Sequence, residues 1–266
     1  MNSSCLCENP EDSTVVLRKT VGGRETRIVR CRHCGLHRTD PRPEIELLKA
    51  NSYQSVSGFE QQLKETDKFR RFAGRILSRA ASYISPKIGT LLDVGCGAGS
   101  LLLEARDAGW TCMGLELNAL AGEHARSLGL SVLTGSLEER AADLETFDVI
   151  TLSQVLEHLD SPTHAIASLT KLLKPGGVLI IESPNLFGLY PRILGARWYG
   201  FAFDQHLWHF TPPAMSMLAR RADVRLEAVS AGGCLDYGLP IDYCWITDLP
   251  GKVGLGDNLI AVFKAS

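Results

Sequence analysis

Leu91-Leu92-Asp93-Val94-Gly95-Cys96-Gly97-Ala98-Gly99-Ser100 is the stretch on which the reading of this chain turns. A short apolar run passes into glycines at alternate positions and then into the helix-like LLLEARDAG, giving strand, tight loop and helix in succession. Glycine suits a loop whose main chain a ligand must touch, because it lacks a Cβ and accepts positive φ. In an open α/β sheet that ligand lies beyond the carboxyl ends of the strands, where this loop falls. The next strand, Trp110 to Leu115, ends in Glu116 and brings a carboxylate to where a ribose would hydrogen-bond. Alternating strands and helices from residue 88 to 182 predict a doubly wound α/β sheet.

The glycine spacing separates two kinds of nucleoside ligand. A dinucleotide loop carries G-x-G-x-x-G, with the third glycine inside the helix. Here the pattern is G-x-G-x-G and position 100 is Ser, so no pyrophosphate cradle is implied. Asp93 would repel a phosphate and attract an ammonium such as that of S-adenosylmethionine (SAM). The run D-x-G-x-G-x-G resembles the first motif of the class I SAM-dependent methyltransferases. Phe147-Asp148-Val149-Ile150 followed by Val155-Leu156-Glu157-His158-Leu159 is a second match, and LLKPGG before VLIIESPN is a third.

That resemblance implies a Rossmann-like, seven-stranded sheet with SAM contacts at Asp93, Gly95, Cys96, Gly97, Gly99, Glu116, Leu117, Ser136, Leu137 and Ser153. Ser136 and Leu137 would meet the adenine, although a plain strand-to-helix loop accounts for them nearly as well. Ser153-Gln154-Val155-Leu156 stands where enzymes that methylate exocyclic amino groups of bases usually carry Asn/Asp-Pro-Pro-aromatic, which disfavours that subclass. Glu157 and His158 read either as groups orienting the methionine end or as a structural helix start.

The whole chain sets the frame for these motifs. Its 266 residues and 45% apolar content allow one large α/β domain with an appendage. A net charge of −2 argues against a globally basic nucleic-acid binder but leaves local patches open. MNSSCLCENPED lacks a basic segment followed by an apolar one, and no apolar run reaches ~18 residues, so the expectation is a cytoplasmic protein without membrane association.

Cys5, Cys7, Cys31 and Cys34 form C-x-C and C-x-x-C pairs, the second followed by Gly35 and carried by a hairpin of TVVLRKT, Gly22-Gly23 and TRIVR. Four thiolates on two turns suit a structural, tetrahedral zinc, which makes residues 1–43 a small zinc-ribbon module. His33 and His37 could replace a ligand, but are expected to be exposed polar residues. The module is basic, with Arg18, Lys19, Arg24, Arg27, Arg30, Arg32, Arg38 and Arg42. Such a face could touch RNA or an anionic substrate, or simply be solvated. Residues 44–87 follow as a helical lid or linker, with Tyr53 and Phe59 as candidate lid residues, and residues 88–266 form the main domain.

An aromatic-rich insertion around residues 186–213 is where an acceptor would be gripped, and the strand-like run after Asn258 closes the domain. Residues 88–266 resemble the small-molecule branch of the family. With the cysteine module in front they look most similar to methyltransferases of sugar and natural-product pathways. The aromatic hydroxyl usual before the histidine run is Phe203 here, so acceptor identity does not carry over. His206 and His209 in FDQHLWHFTP are the candidate general bases, with Asp204 placed to orient an imidazole; the resemblance favours His206. The expected partner is a small-molecule methyl acceptor. RNA methylation, a non-catalytic SAM-binding regulator and a nicotinamide oxidoreductase are the competing readings, and the sequence leaves the oligomeric state open.

Overall fold

The computed structural model describes residues 12–43, 56–64, 66–85, 88–232 and 255–265. In chain order, β1 (Ser13–Val21) and β2 (Arg24–Cys31) form an antiparallel hairpin, with β3 (His37–Asp40) paired to β2. Two helices follow, α1 (Val56–Lys64) and α2 (Thr66–Ala81), and then the alternating part: β4 (Thr90–Val94), α3 (Ser100–Asp107), β5 (Thr111–Glu116), α4 (Ala119–Ser127), β6 (Ser131–Thr134), α5 (Leu137–Arg140) and β7 (Phe147–Ser153). After a 3-10 turn at Leu156–His158 come α6 (Pro162–Thr170), β8 (Leu173–Pro184), α7 (Leu189–Leu194), β9 (Trp208–His209), α8 (Pro212–Ala222), β10 (Arg225–Gly232) and β11 (Asn258–Lys264).

These described strands make two sheets. One has four strands in the order β1-β2-β3-β9, and the other seven in the order β10-β11-β8-β7-β4-β5-β6. β4 runs parallel to β5 and β7, and β5 parallel to β6; the central pair, β4 and β7, is apolar and buried nearly throughout, as a parallel sheet covered on both faces requires. β4 has β5 on one side and β7 on the other, so the winding reverses beside it. A ligand crevice opens at such a point, at the carboxyl ends of the strands. The α/β class and the seven strands agree with the sequence reading. β10 was not foreseen, and α6 stops at Thr170, shortly before β8 begins at Leu173.

By compactness the chain falls into two units. The first comprises Met1–Ile45, Leu156–Ala167 and Ile181–Val262; the second comprises Glu46–Val155, Ser168–Ile180 and Phe263–Ser266. In the first, the hairpin is not a free-standing ribbon. Ile28 packs with Trp198, Phe201 and Phe203 of the insertion, flanked by Leu17 and Val21, and β9 extends the sheet through the pairs His37 with His209 and Arg38 with Trp208. That pairing buries His37, expected to be exposed, to 4% and lowers its pKa to about 4 through burial and the nearby Arg30 charge.

In the second unit α2 lies on α3, where Arg70 reaches Glu104 at 3.0 Å and Asp107 at 2.6 Å. Phe59 sets its ring edge against His124 of α4, while Tyr53 lies outside the described residues. Local signals start the helices. The Asn118 side chain accepts from the backbone N–H groups of Leu120 and Ala121 to cap α4, and Thr211 caps α8 ahead of Pro212. Among the described residues no helix is long and apolar enough to cross a membrane.

Candidate functional site

At the carboxyl end of β4 the loop runs through Gly95, Gly97 and Gly99 at φ 75, 53 and 87. Gly95 is required twice over. Its φ is left-handed, and a Cβ there would stand 2.4 Å from Cγ2 of Val155. Glu116, 7% exposed at the end of β5, accepts from the N–H of Gly97 at 2.6 Å and of Asn118 at 2.7 Å. Burial raises its pKa and these backbone bonds oppose the rise. Backbone N–H groups thus fix the direction of the carboxylate and leave lone pairs on it for further donors.

Asp93 is 4% exposed, and its Oδ1 accepts from the Thr151 hydroxyl at 2.7 Å. Burial pushes its pKa up to about 7 against that hydrogen bond, and the Glu116 charge adds to the rise. Cys96 is inert by comparison: burial first, then Asp93 and Glu116, hold its thiol protonated. Its sulfur fills the space over Gly114, where a Cβ would meet it at 2.5 Å. Leu117 follows Glu116 directly. Ser136 turns its hydroxyl inward on the chain, forming with Glu139 the capping box that starts α5 ahead of Leu137. Ser153 ends β7, half-buried.

A second cluster lies in the first unit. Glu157 is 1% exposed; its Oε2 accepts from the Ser183 hydroxyl at 2.9 Å, and its Oε1 is buried without a hydrogen-bond partner among the described residues. Burial pushes its pKa up to about 7. His158 donates from Nδ1 to the Gln205 carbonyl at 3.1 Å, and its ring meets that of His206 edge-on at 4.7 Å. Ligand atoms of Glu157, His158 and His206 all lie within 4.8 Å of one another, a spacing at which they could share one cation.

The two candidate bases differ in their bonding. His206 donates from Nδ1 to the Gly200 carbonyl at 2.9 Å, so Nε2 carries the lone pair. Burial, then His158 and His209, keeps the ring neutral well below its ordinary pKa of 6.5. The partner that orients it is therefore a backbone carbonyl. Asp204, assigned that part from the sequence, is exposed. His209 is tied instead to the hairpin. Thr39 gives its hydroxyl proton to the His206 carbonyl at 2.6 Å, so His209 Nε2, 2.9 Å from the same oxygen, must be the donor there.

Residues 65–229 match the family model described as "Methyltransferase domain". The chain is a member of that methyltransferase family. It is 30% identical over 216 residues to a ubiquinone biosynthesis O-methyltransferase of Xanthomonas axonopodis pv. citri, covering 69% of this chain and 88% of that one. With the enzyme of the same name from Methylococcus capsulatus it shares 37% over 101 residues, 35% of this chain and 43% of the relative. The fold is also that of a SAM-dependent methyltransferase from Archaeoglobus fulgidus, at a TM-score of 0.53 and 20% identity over 73% and 94% of the two chains. The glycine loop, Asp93 and Glu116 of this SAM-dependent methyltransferase are thus assembled at the crevice its sheet order creates.

The methyltransferase's arginine-rich hairpin looks different in three dimensions. Arg18 pairs with Glu25, Arg27 and Arg38 with Asp40, Arg32 with Asp12, and Arg42 with Asp160. Lys19 lies over the Phe203 ring and Arg42 over Trp208. Much of the cationic charge is answered locally. Sequence reasoning missed Ser183 and Gly200, one an ordinary strand residue and the other acting through its carbonyl, and neither carries a local signal.

Proposed function

We propose that this SAM-dependent methyltransferase methylates an oxygen of a small-molecule acceptor, a natural-product intermediate or a nucleotide sugar, with His206 as general base. The observation that carries the base is the anchored Nδ1 of His206, which aims a neutral Nε2 lone pair beside the buried, half-satisfied carboxyl of Glu157. The relatives named O-methyltransferases favour oxygen. Asp93, Gly95, Cys96, Gly97, Gly99, Glu116, Leu117, Ser136, Leu137 and Ser153 would hold the cofactor, and the buried Asp93 carboxyl beside the glycine loop suits a ligand that brings an ammonium. When bound, the cofactor supplies a methyl group activated by a sulfonium. The acceptor oxygen gains the O–CH₃ bond as the S–CH₃ bond breaks, and its proton passes to His206 Nε2. His209 positions His206 through Thr39.

Incubation with methyl-labelled SAM and separate panels of catechols, nucleotide sugars and transfer RNA tests the acceptor. Label should enter alkali-stable methyl ethers of a small hydroxyl compound; label only in RNA would overturn the reading. The local pairing of the hairpin arginines argues for the first outcome.

The same proposal includes a structural zinc. Cys34 directs its backbone N–H at Cys31 Sγ over 3.5 Å, and Gly35, at φ 72, closes that turn, a geometry that fits half of a four-thiolate site. Cys5 and Cys7, which would complete it, lie outside the described residues. A closed thiolate set would brace the hairpin and leave no open position for chemistry. Metal analysis should find one zinc per chain, and Cys31→Ser should lose it. Equal zinc in both proteins, or none in either, would remove the metal from the account.

A further inference from the structure

Gln154 follows β7 directly. In the parallel register Leu152 pairs with Val94, so Gln154 leaves the sheet beside the glycine loop, at the reversal of winding. Its neighbour Val155 packs against Gly95. Two features of Gln154 are unfavourable in the chain as it stands. Its φ is 56, in the left-handed region that residues with a Cβ avoid, and its side-chain Nε2 is buried without a hydrogen-bond partner among the described residues. Asp223, another described non-glycine residue with positive φ, ends a helix, which accounts for it. No helix end accounts for Gln154. Strain and an unsatisfied donor on one side chain at the ligand end of a sheet point to a missing acceptor.

We propose that the Gln154 amide donates a hydrogen bond to the carboxylate of the cofactor's methionine moiety. This rests on the SAM reading of the crevice and adds a residue to it. The amino-acid end of SAM carries both an ammonium and a carboxylate, and the crevice as described is rich only in acidic groups. Asp93 and Glu116 suit the ammonium and the ribose, and both repel a carboxylate. The loop N–H groups are already engaged. Gly95 and Cys96 donate to the Leu115 carbonyl, Gly97 to Glu116, and Gly99 to the Cys96 carbonyl. A neutral amide donor is what remains to be supplied, and Gln154 has it unspent.

Calorimetry with SAM, S-adenosylhomocysteine and methylthioadenosine, which lacks the amino-acid end, tests this without knowledge of the acceptor. Gln154→Ala should weaken SAM and S-adenosylhomocysteine about tenfold or more and leave methylthioadenosine unchanged. Gln154→Glu should weaken the first two further, by charge repulsion. Gln154→Gly suits the left-handed backbone, so it keeps the fold while removing the amide, and should behave as Gln154→Ala does. Wild-type affinity for SAM in the alanine and glycine variants, or an equal loss for methylthioadenosine, would overturn the assignment. A wild-type protein that binds none of the three would instead overturn the cofactor reading, and this one with it.

Discussion

Asp93→Asn should loosen SAM binding by ten- to a hundredfold and, in the same protein, make the cofactor-free fold more stable. The first effect is the loss of a charge-assisted contact with the ammonium. The second follows from burial, which lifts the Asp93 pKa from its ordinary 3.8 to about 7. A carboxyl with a higher pKa folded than unfolded costs stability as pH rises from about 4 to about 7, and the cost is constant above that. From the two pKa values the full cost is on the order of 4 kcal/mol. Asparagine keeps an oxygen for the Thr151 hydroxyl and has no charge to bury. The gain should therefore be largest at pH 8 and much smaller at pH 5, as read by denaturant unfolding without cofactor. An unchanged SAM affinity would remove Asp93 from the cofactor site, and a pH-independent gain would refute the buried charge.

His206→Ala should lower kcat by ~10²-fold or more at saturating SAM, with SAM affinity unchanged. Because the ring is buried, the alanine variant also opens a cavity. His206→Asn is the better control, since its amide can still donate toward the Gly200 carbonyl while offering no basic nitrogen. Both variants should lose turnover alike. The wild-type rate should rise through about pH 7 as Glu157 ionises and can stabilise the protonated imidazole, whose own pKa lies well below that window. Glu157→Gln, which keeps an oxygen for the Ser183 hydroxyl, should flatten that rise. Near-normal turnover in His206→Asn would leave catalysis to positioning alone or to another group.

The crevice was readable from the chain because its requirements are local. A left-handed loop that touches Val155 has to be glycine, and the acid at the end of β5 lies a fixed strand length beyond it. The histidine cluster was only half readable. FDQHLWHFTP showed two imidazoles but not what holds them, since the Gly200 carbonyl has no sequence signature and the Thr39 hydroxyl is some 170 positions away. His37 was misplaced for the same reason. A four-residue strand looks exposed until β9, two residues long, covers it. β10 escaped notice because RLEAVSAG is half polar.

The bonds that join β3 to β9 bear on how such an enzyme could be recombined with its relatives. Thr39 bridges the His206 carbonyl and the His209 ring, Trp208 donates to the Leu159 carbonyl at 2.8 Å, and Arg42 grips Asp160 while lying over Trp208. Three stretches far apart along the chain therefore form a single interlocked part. A chimera that exchanged only the first forty-odd residues would cut through a strand pair and strip the imidazoles of their support. The natural cassette is discontinuous: the hairpin, the 156–160 turn and the 198–210 segment would have to travel together for the graft to arrive intact.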